Sequence, residues 1–98
     1  MALIVGEKQG PHGQLLIITD KDIVGRKFEE GKMQLDLTKD FYQGSEKSKE
    51  EIKIMLEKAQ HFHFTGKEAV ALAVEEDLVD VKKIVWVQKV PHAQAVVG

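Results

Sequence analysis

The stretch Ile84-Val85-Trp86-Val87-Gln88-Lys89-Val90-Pro91-His92-Ala93-Gln94 decides how the rest of this chain is read. Its first four residues are β-branched or aromatic, the side chains that pack best on a pleated surface, so residues 84–90 read as a strand. A closing apolar segment, residues 93–97, follows. The Pro91-His92 pair is therefore flanked by β-branched residues on both sides. If Ala93 faces inward on extended backbone, His92 and Gln94 share the opposite face. Side chains of that size and polarity need hydrogen-bond partners wherever they are covered.

Upstream of this stretch the periodicity changes to helical. Ser48-Lys49-Glu50-Glu51 has capping-box spacing, in which a hydroxyl and a carboxylate each satisfy a backbone N–H at a helix start. Ile52, Met55, Leu56 and Ala59, extending to Phe62, then fall at three- and four-residue intervals on one stripe. Thr65-Gly66-Lys67-Glu68 repeats the capping-box spacing and opens a second helix. Ala69, Val70, Leu72, Ala73 and Val74 make that helix apolar around most of its circumference, so it is expected to be the more buried of the two. Glu75-Glu76-Asp77 at its end has the wrong sign for the helix dipole and is expected in solvent.

Further towards the N-terminus the period returns to two. Residues 2–7 and 14–19 are strand-like runs separated by Gln9-Gly10-Pro11-His12-Gly13, which predicts a hairpin. Met1 to Val5 is apolar but too short for a signal sequence or a membrane span, and it reads as the first strand. Asp20 offers an N-cap to a one-turn helix at Ile23-Val24 that Gly25 closes. Residues 26–30 and 32–37 flank Gly31, and Met33, Leu35 and Leu37 alternate with polar residues as on a half-buried strand. Residues 38–47 read as a loop carrying Phe41-Tyr42-Gln43-Gly44; two adjacent aromatics there are either core plugs or a binding surface.

Together these patterns predict one domain over residues 1–98. Its class is α+β, with a mixed, mostly antiparallel sheet and two helices packed on one side. The composition, 43% hydrophobic and 31% charged, is that of a folded chain. A net charge of -2 and a single arginine, Arg26, give no signature of DNA binding. No cysteine is present, which removes disulfides, thiol catalysis and thiolate zinc sites and suits a reducing cytoplasm.

The residues that bear chemistry are few. His61-Phe62-His63 places two imidazoles on one face if extended, and about 200° apart if helical. The favoured reading puts them at a helix end and in the loop before Thr65. No zincin pattern accompanies them, and no metal or cofactor is expected. There is no nucleophile elbow and no phosphate-binding glycine loop. Thr65-Gly66-Lys67 offers an anion site at a helix start, although an ordinary helix N-terminus is the commoner meaning. Phe41, Tyr42, Phe62, Phe64 and Trp86 are candidate stacking rings for RNA, with Lys47, Lys49, Lys53, Lys82, Lys83 and Lys89 near them in sequence.

In order along the chain, Phe28-Glu29-Glu30-Gly31, Phe41-Tyr42-Gln43-Gly44, Gly66-Lys67-Glu68-Ala69-Val70 and Val90-Pro91-His92-Ala93-Gln94 resemble an archaeal family, domain of unknown function four-two-four. The resemblance spans nearly the whole chain. It implies a small, single-domain, cytoplasmic protein of archaeal type whose role leans towards RNA or translation. It also marks Tyr42, Gly44, Gly66, Pro91, His92 and Gln94 as positions that match the family's pattern. Where similar proteins tend to carry asparagine three residues before the helix-opening glycine, this chain has His63.

The resulting expectation is a non-enzymatic binding protein for RNA or a translation-linked complex. Its binding set comprises Tyr42, Gly44, Gly66, Lys67, Pro91, His92 and Gln94. The alternatives are a small enzyme using His92 as acid or base, or a structural or oligomerisation module.

Overall fold

The computed structural model describes residues 2–11 and 13–96. Among them are eight strands and two α-helices, in the order β1 (Leu3–Gly10), β2 (Gly13–Asp20), β3 (Lys27–Glu30), β4 (Met33–Asp36), β5 (Ser45–Lys47), α1 (Lys49–Leu56), β6 (His61–Thr65), α2 (Lys67–Glu75), β7 (Val85–Val87) and β8 (Val90–Val96). Six strands form one sheet in the order β5-β1-β2-β6-β8-β7, and β3 and β4 pair separately. Every pairing is antiparallel except β2 with β6. The fold is thus α+β with a mostly antiparallel sheet, as the patterning predicts.

One sheet face carries Leu3, Val5, Leu16, Ile18, Phe62, Phe64 and Ala93, which pack with Ile52, Leu56, Ala69, Val70, Leu72 and Ala73 of the two helices. Full burial of Phe62 and Phe64 contributes roughly 1.5–3 kcal/mol apiece. The small residues Ala69 and Ala73, both fully buried, let α2 lie close to the strands. A second cluster, formed by Ile23, Phe28, Leu35, Leu37 and Val87 with Tyr42 and Val90 against it, joins the β3–β4 hairpin to the β7–β8 hairpin. Gln88 fastens the two hairpins: its side-chain amide donates to the Glu29 carbonyl at 2.6 Å and its backbone N–H to Glu30 Oε1 at 2.7 Å.

Several local expectations change. The Ser48 capping box is present in full, with both reciprocal bonds at 3.2 Å. The Thr65 capping box is not: Thr65 ends β6, Gly66 takes the N-cap position, and no side chain at that position caps the helix. The Asp20 carboxylate caps α2 instead, accepting from the Glu68 N–H at 3.0 Å and the Ala69 N–H at 2.8 Å. Asp20 does precede a short 3-10 turn, Lys21–Ile23, but makes no side-chain bond to it. Helix α1 stops at Leu56, so Phe62 belongs to β6 and not to the helical stripe. The expected single strand over 84–90 is a hairpin whose turn sits at Gln88 and Lys89, both at positive φ. Residues 45–47, read as loop, pair with β1 as an edge strand. Glu75 and Glu76 are exposed, as expected, and pair across the surface with Lys49 at 2.8 Å and Lys53 at 3.9 Å on α1. His12 in the first turn and Val97 in the closing segment lie outside the described residues.

Candidate functional site

The face of the sheet opposite the helices is where the polar residues collect. Strand alternation and the register His63↔Gln94 and Thr65↔His92 put His61, His63, Thr65, His92 and Gln94 on that face in two adjacent strands. Parallel pairing of Ile17 with His63 and Thr19 with Thr65 continues the face into β2. His61 and His63 are thus on a strand, which overturns their expected place at a helix end and in a loop. The cause is tertiary, because β2 on one side and β8 on the other take up the backbone hydrogen bonds of residues 61–65.

His92 is held from both ends. Its Nδ1 lies 2.8 Å from the Thr65 hydroxyl, and its Nε2 lies 3.4 Å from the Gln94 amide nitrogen. Each ring nitrogen thus has one partner, and the tautomer sets the direction of the two bonds. Burial, and secondarily the neighbouring His63, push the His92 pKa down to about 4, so the ring is neutral at pH 7. Burial, followed by the effect of His61, also holds His63 below the ordinary histidine value. The His63 and His92 rings are 5.9 Å apart. The half-buried Phe41 ring stands edge-on to His63 at 5.2 Å and to Tyr42 at 5.1 Å, and the Lys8 ammonium lies 6.0 Å from its centroid.

The glycines explain how Phe41 gets there. A Cβ on Gly6 would come within 2.7 Å of the Gln43 carbonyl oxygen, and one on Gly44 would press into β1 at Val5 and Gly6. Backbone lies directly on backbone, and this brings the 40–44 segment down onto the sheet beside His63.

The expected binding set divides. His92 and Gln94 share this face, His92 part-buried and Gln94 exposed; Tyr42 reaches it only through Phe41 and is otherwise packed on the second cluster. Gly44 serves the close approach of the loop to β1. Gly66, Lys67 and Pro91 lie elsewhere, around a cavity at the end of the sheet. Of the proposed stacking rings, Phe62 and Phe64 are in the core, whereas Trp86 is 52% exposed on the edge strand β7. Phe41 and His63 complete the cluster and were not in the set; the alternation of His61 and His63 was the available signal. Among the described residues no group of three or more histidines and carboxylates is arranged to hold a metal ion, and no helix is long and apolar enough to cross a membrane.

Comparison with solved structures finds a similar fold in a crystal structure described as an uncharacterized conserved protein from Methanopyrus kandleri. Its TM-score is 0.79 at 17% identity, covering 100% of this chain and 95% of that one. No curated protein matches the sequence. The family whose model does match is described as "Protein of unknown function (DUF424)", over residues 7–97. That span takes in nearly the whole chain, from within β1 past the end of β8, and the chain belongs to this family.

Proposed function

We propose that this chain is a non-enzymatic RNA-binding protein of the cytoplasm, working on RNA in a translation-linked setting, and that the open sheet face reads unpaired bases. The observation that carries this reading is the grouping of four planar side chains, Phe41, His63, His92 and Gln94, on adjacent elements of one face. The His63 imidazole and the exposed Gln94 amide offer donors and acceptors to base edges, His92 holds that amide in place, and Phe41 offers an aromatic ring. Single-stranded RNA is recognised by this combination of stacking and edge hydrogen bonding on a sheet. The net charge of -2 leaves little non-specific attraction, so stacking and hydrogen bonding carry most of the affinity.

An enzyme built on His92 is the weaker reading. The hydroxyl within its reach, that of Thr65, is fully buried, so it orients the ring and does not present a nucleophile.

The test is fluorescence anisotropy with single-stranded and structured RNA at micromolar protein over a range of salt. Salt-sensitive binding that favours single strands and weakens in His92→Ala and Gln94→Ala is the expected result. Its absence at micromolar protein overturns the reading.

A further inference from the structure

A second surface lies at the C-terminal ends of the parallel pair β2 and β6. Asp20 is the last residue of β2, and Gly66 follows the last residue of β6. The turn after β2 and the start of α2 converge there. A cavity of about 220 Å³ opens at this point, with Arg26, Lys67 and Lys89 on its walls beside Asp20, Asp22 and Phe28. It is lined by none of the residues of the open sheet face.

The three cations come from three separate segments: the approach to β3, the first turn of α2, and the β7–β8 turn. Among the described residues none is within 4.0 Å of a carboxylate, unlike Lys21, Lys27, Lys49 and Lys53. All three line the same concavity. The Arg26 guanidinium carbon sits 5.0 Å from the Phe28 ring centroid, within cation–π reach. Lys89 follows Gln88 in a turn where both residues have positive φ, and the Gln88 bonds to Glu29 and Glu30 hold the backbone of that turn.

The helix start is not the attraction here. The Glu68 and Ala69 N–H groups already bind the Asp20 carboxylate, so the first anion at α2 is the protein's own. An incoming ligand would meet side chains. Three cations against Asp20 and Asp22 leave a positive excess, and the Asp20 charge is further compensated by its two N–H donors. The volume is below the roughly 300–1,000 Å³ of sites for drug-sized molecules, which suits a single compact anionic group.

We propose that this cavity is a phosphate-binding site, taking the phosphate group of a phosphomonoester that is either free or at the end of a nucleic-acid strand. Arg26 supplies the planar donor fork and the two lysines supply point charges. This inference does not rest on the sheet-face reading.

Amide NMR of the intact chain tests it, with inorganic phosphate, ribose 5-phosphate, and a short oligoribonucleotide in 5′-phosphate and 5′-hydroxyl forms as probes. Saturable shifts centred on Arg26, Lys67, Gln88 and Lys89 are expected. Arg26→Gln with Lys89→Gln, checked by melting curves, weakens binding about tenfold or more, and Asp22→Asn tightens it about fivefold. The Asp22→Asn gain is one that a purely structural cluster would not show. An oligoribonucleotide that binds better with its 5′-phosphate assigns the site to strand ends; equal binding of its two forms, with ribose 5-phosphate still saturating, assigns it to free phosphomonoesters. Shifts that are non-saturating, scattered over surface lysines, or unchanged in the double variant overturn the proposal.

Discussion

Gly66 and Asp20 are fitted to each other. A Cβ on Gly66 would lie 2.6 Å from Asp20 Oδ1 and closer still to its Cγ, and Gly66 itself has φ of 108°. The glycine at the helix start thus clears the space in which a carboxylate from β2 reaches the first turn of α2. Gly66→Ala combines left-handed backbone strain with displacement of this cap. We expect it to destabilise the protein by about 2–4 kcal/mol in urea unfolding.

Asp20→Ala removes the acceptor for one buried and one part-buried helix N–H group, whereas Ser48→Ala removes one side of an exposed capping box. The expected losses are about 2 kcal/mol and about 1 kcal/mol. Equal losses would mean that the contact to Asp20, 48 residues away in sequence, adds nothing beyond an ordinary cap.

Gly44→Ala drives a methyl group into the β1 backbone, at 2.7 Å from the Gly6 N and nearer to Val5. Neither backbone can yield cheaply. Hydrogen exchange should show β5 and residues 40–44 released from β1, with a loss of stability of about 2–3 kcal/mol. RNA affinity, where present, should fall with it, because Phe41 leaves His63.

Thr19 and Thr65 are paired across β2 and β6 and are both fully buried, yet the Thr19 hydroxyl has no hydrogen-bond partner among the described residues. Thr19→Val removes a buried polar group and keeps the shape, so a stabilisation of about 1 kcal/mol is expected. Thr65→Val deprives His92 of its partner and should destabilise by a similar amount. Calorimetric melting of the two variants should therefore move in opposite directions.

The pKa of His92 is lowered on folding from the ordinary 6.5 to about 4. Between those values the unfolded chain binds more protons, so the contribution is whole above pH 6.5 and is lost as pH falls to about 4. Asp20 runs the other way: burial raises its pKa despite the two N–H donors, favouring the folded state at low pH, and that gain is lost as pH rises through its folded value. Urea unfolding at pH 7 and pH 4.5 should show a loss on the order of 1–2 kcal/mol that His92→Gln reduces, the remainder belonging to His63, after allowance for solvent screening.

What the sequence determined by itself is the local structure. The Ser48 and Glu51 cap depends on residues three apart. The β1–β2 hairpin depends on alternation and on the turn residues between its strands. Neighbouring residues supply those contacts, so a linear reading can see them. The Asp20 cap of α2, the parallel pairing that turns His61-Phe62-His63 into a strand, and the seating of Gly44 on β1 were settled only by tertiary structure. In each case the partner lies far along the chain. Thr65 shows the competition directly: by spacing it could have capped α2, but pairing with β2 and β8 took its backbone, its hydroxyl went to His92, and Asp20 supplied the cap. The Pro91-His92 stretch was visible as a placed feature. Its division was not, because only the sheet register sends His92 to the open face and leaves Pro91 at the cavity with Arg26 and Lys67.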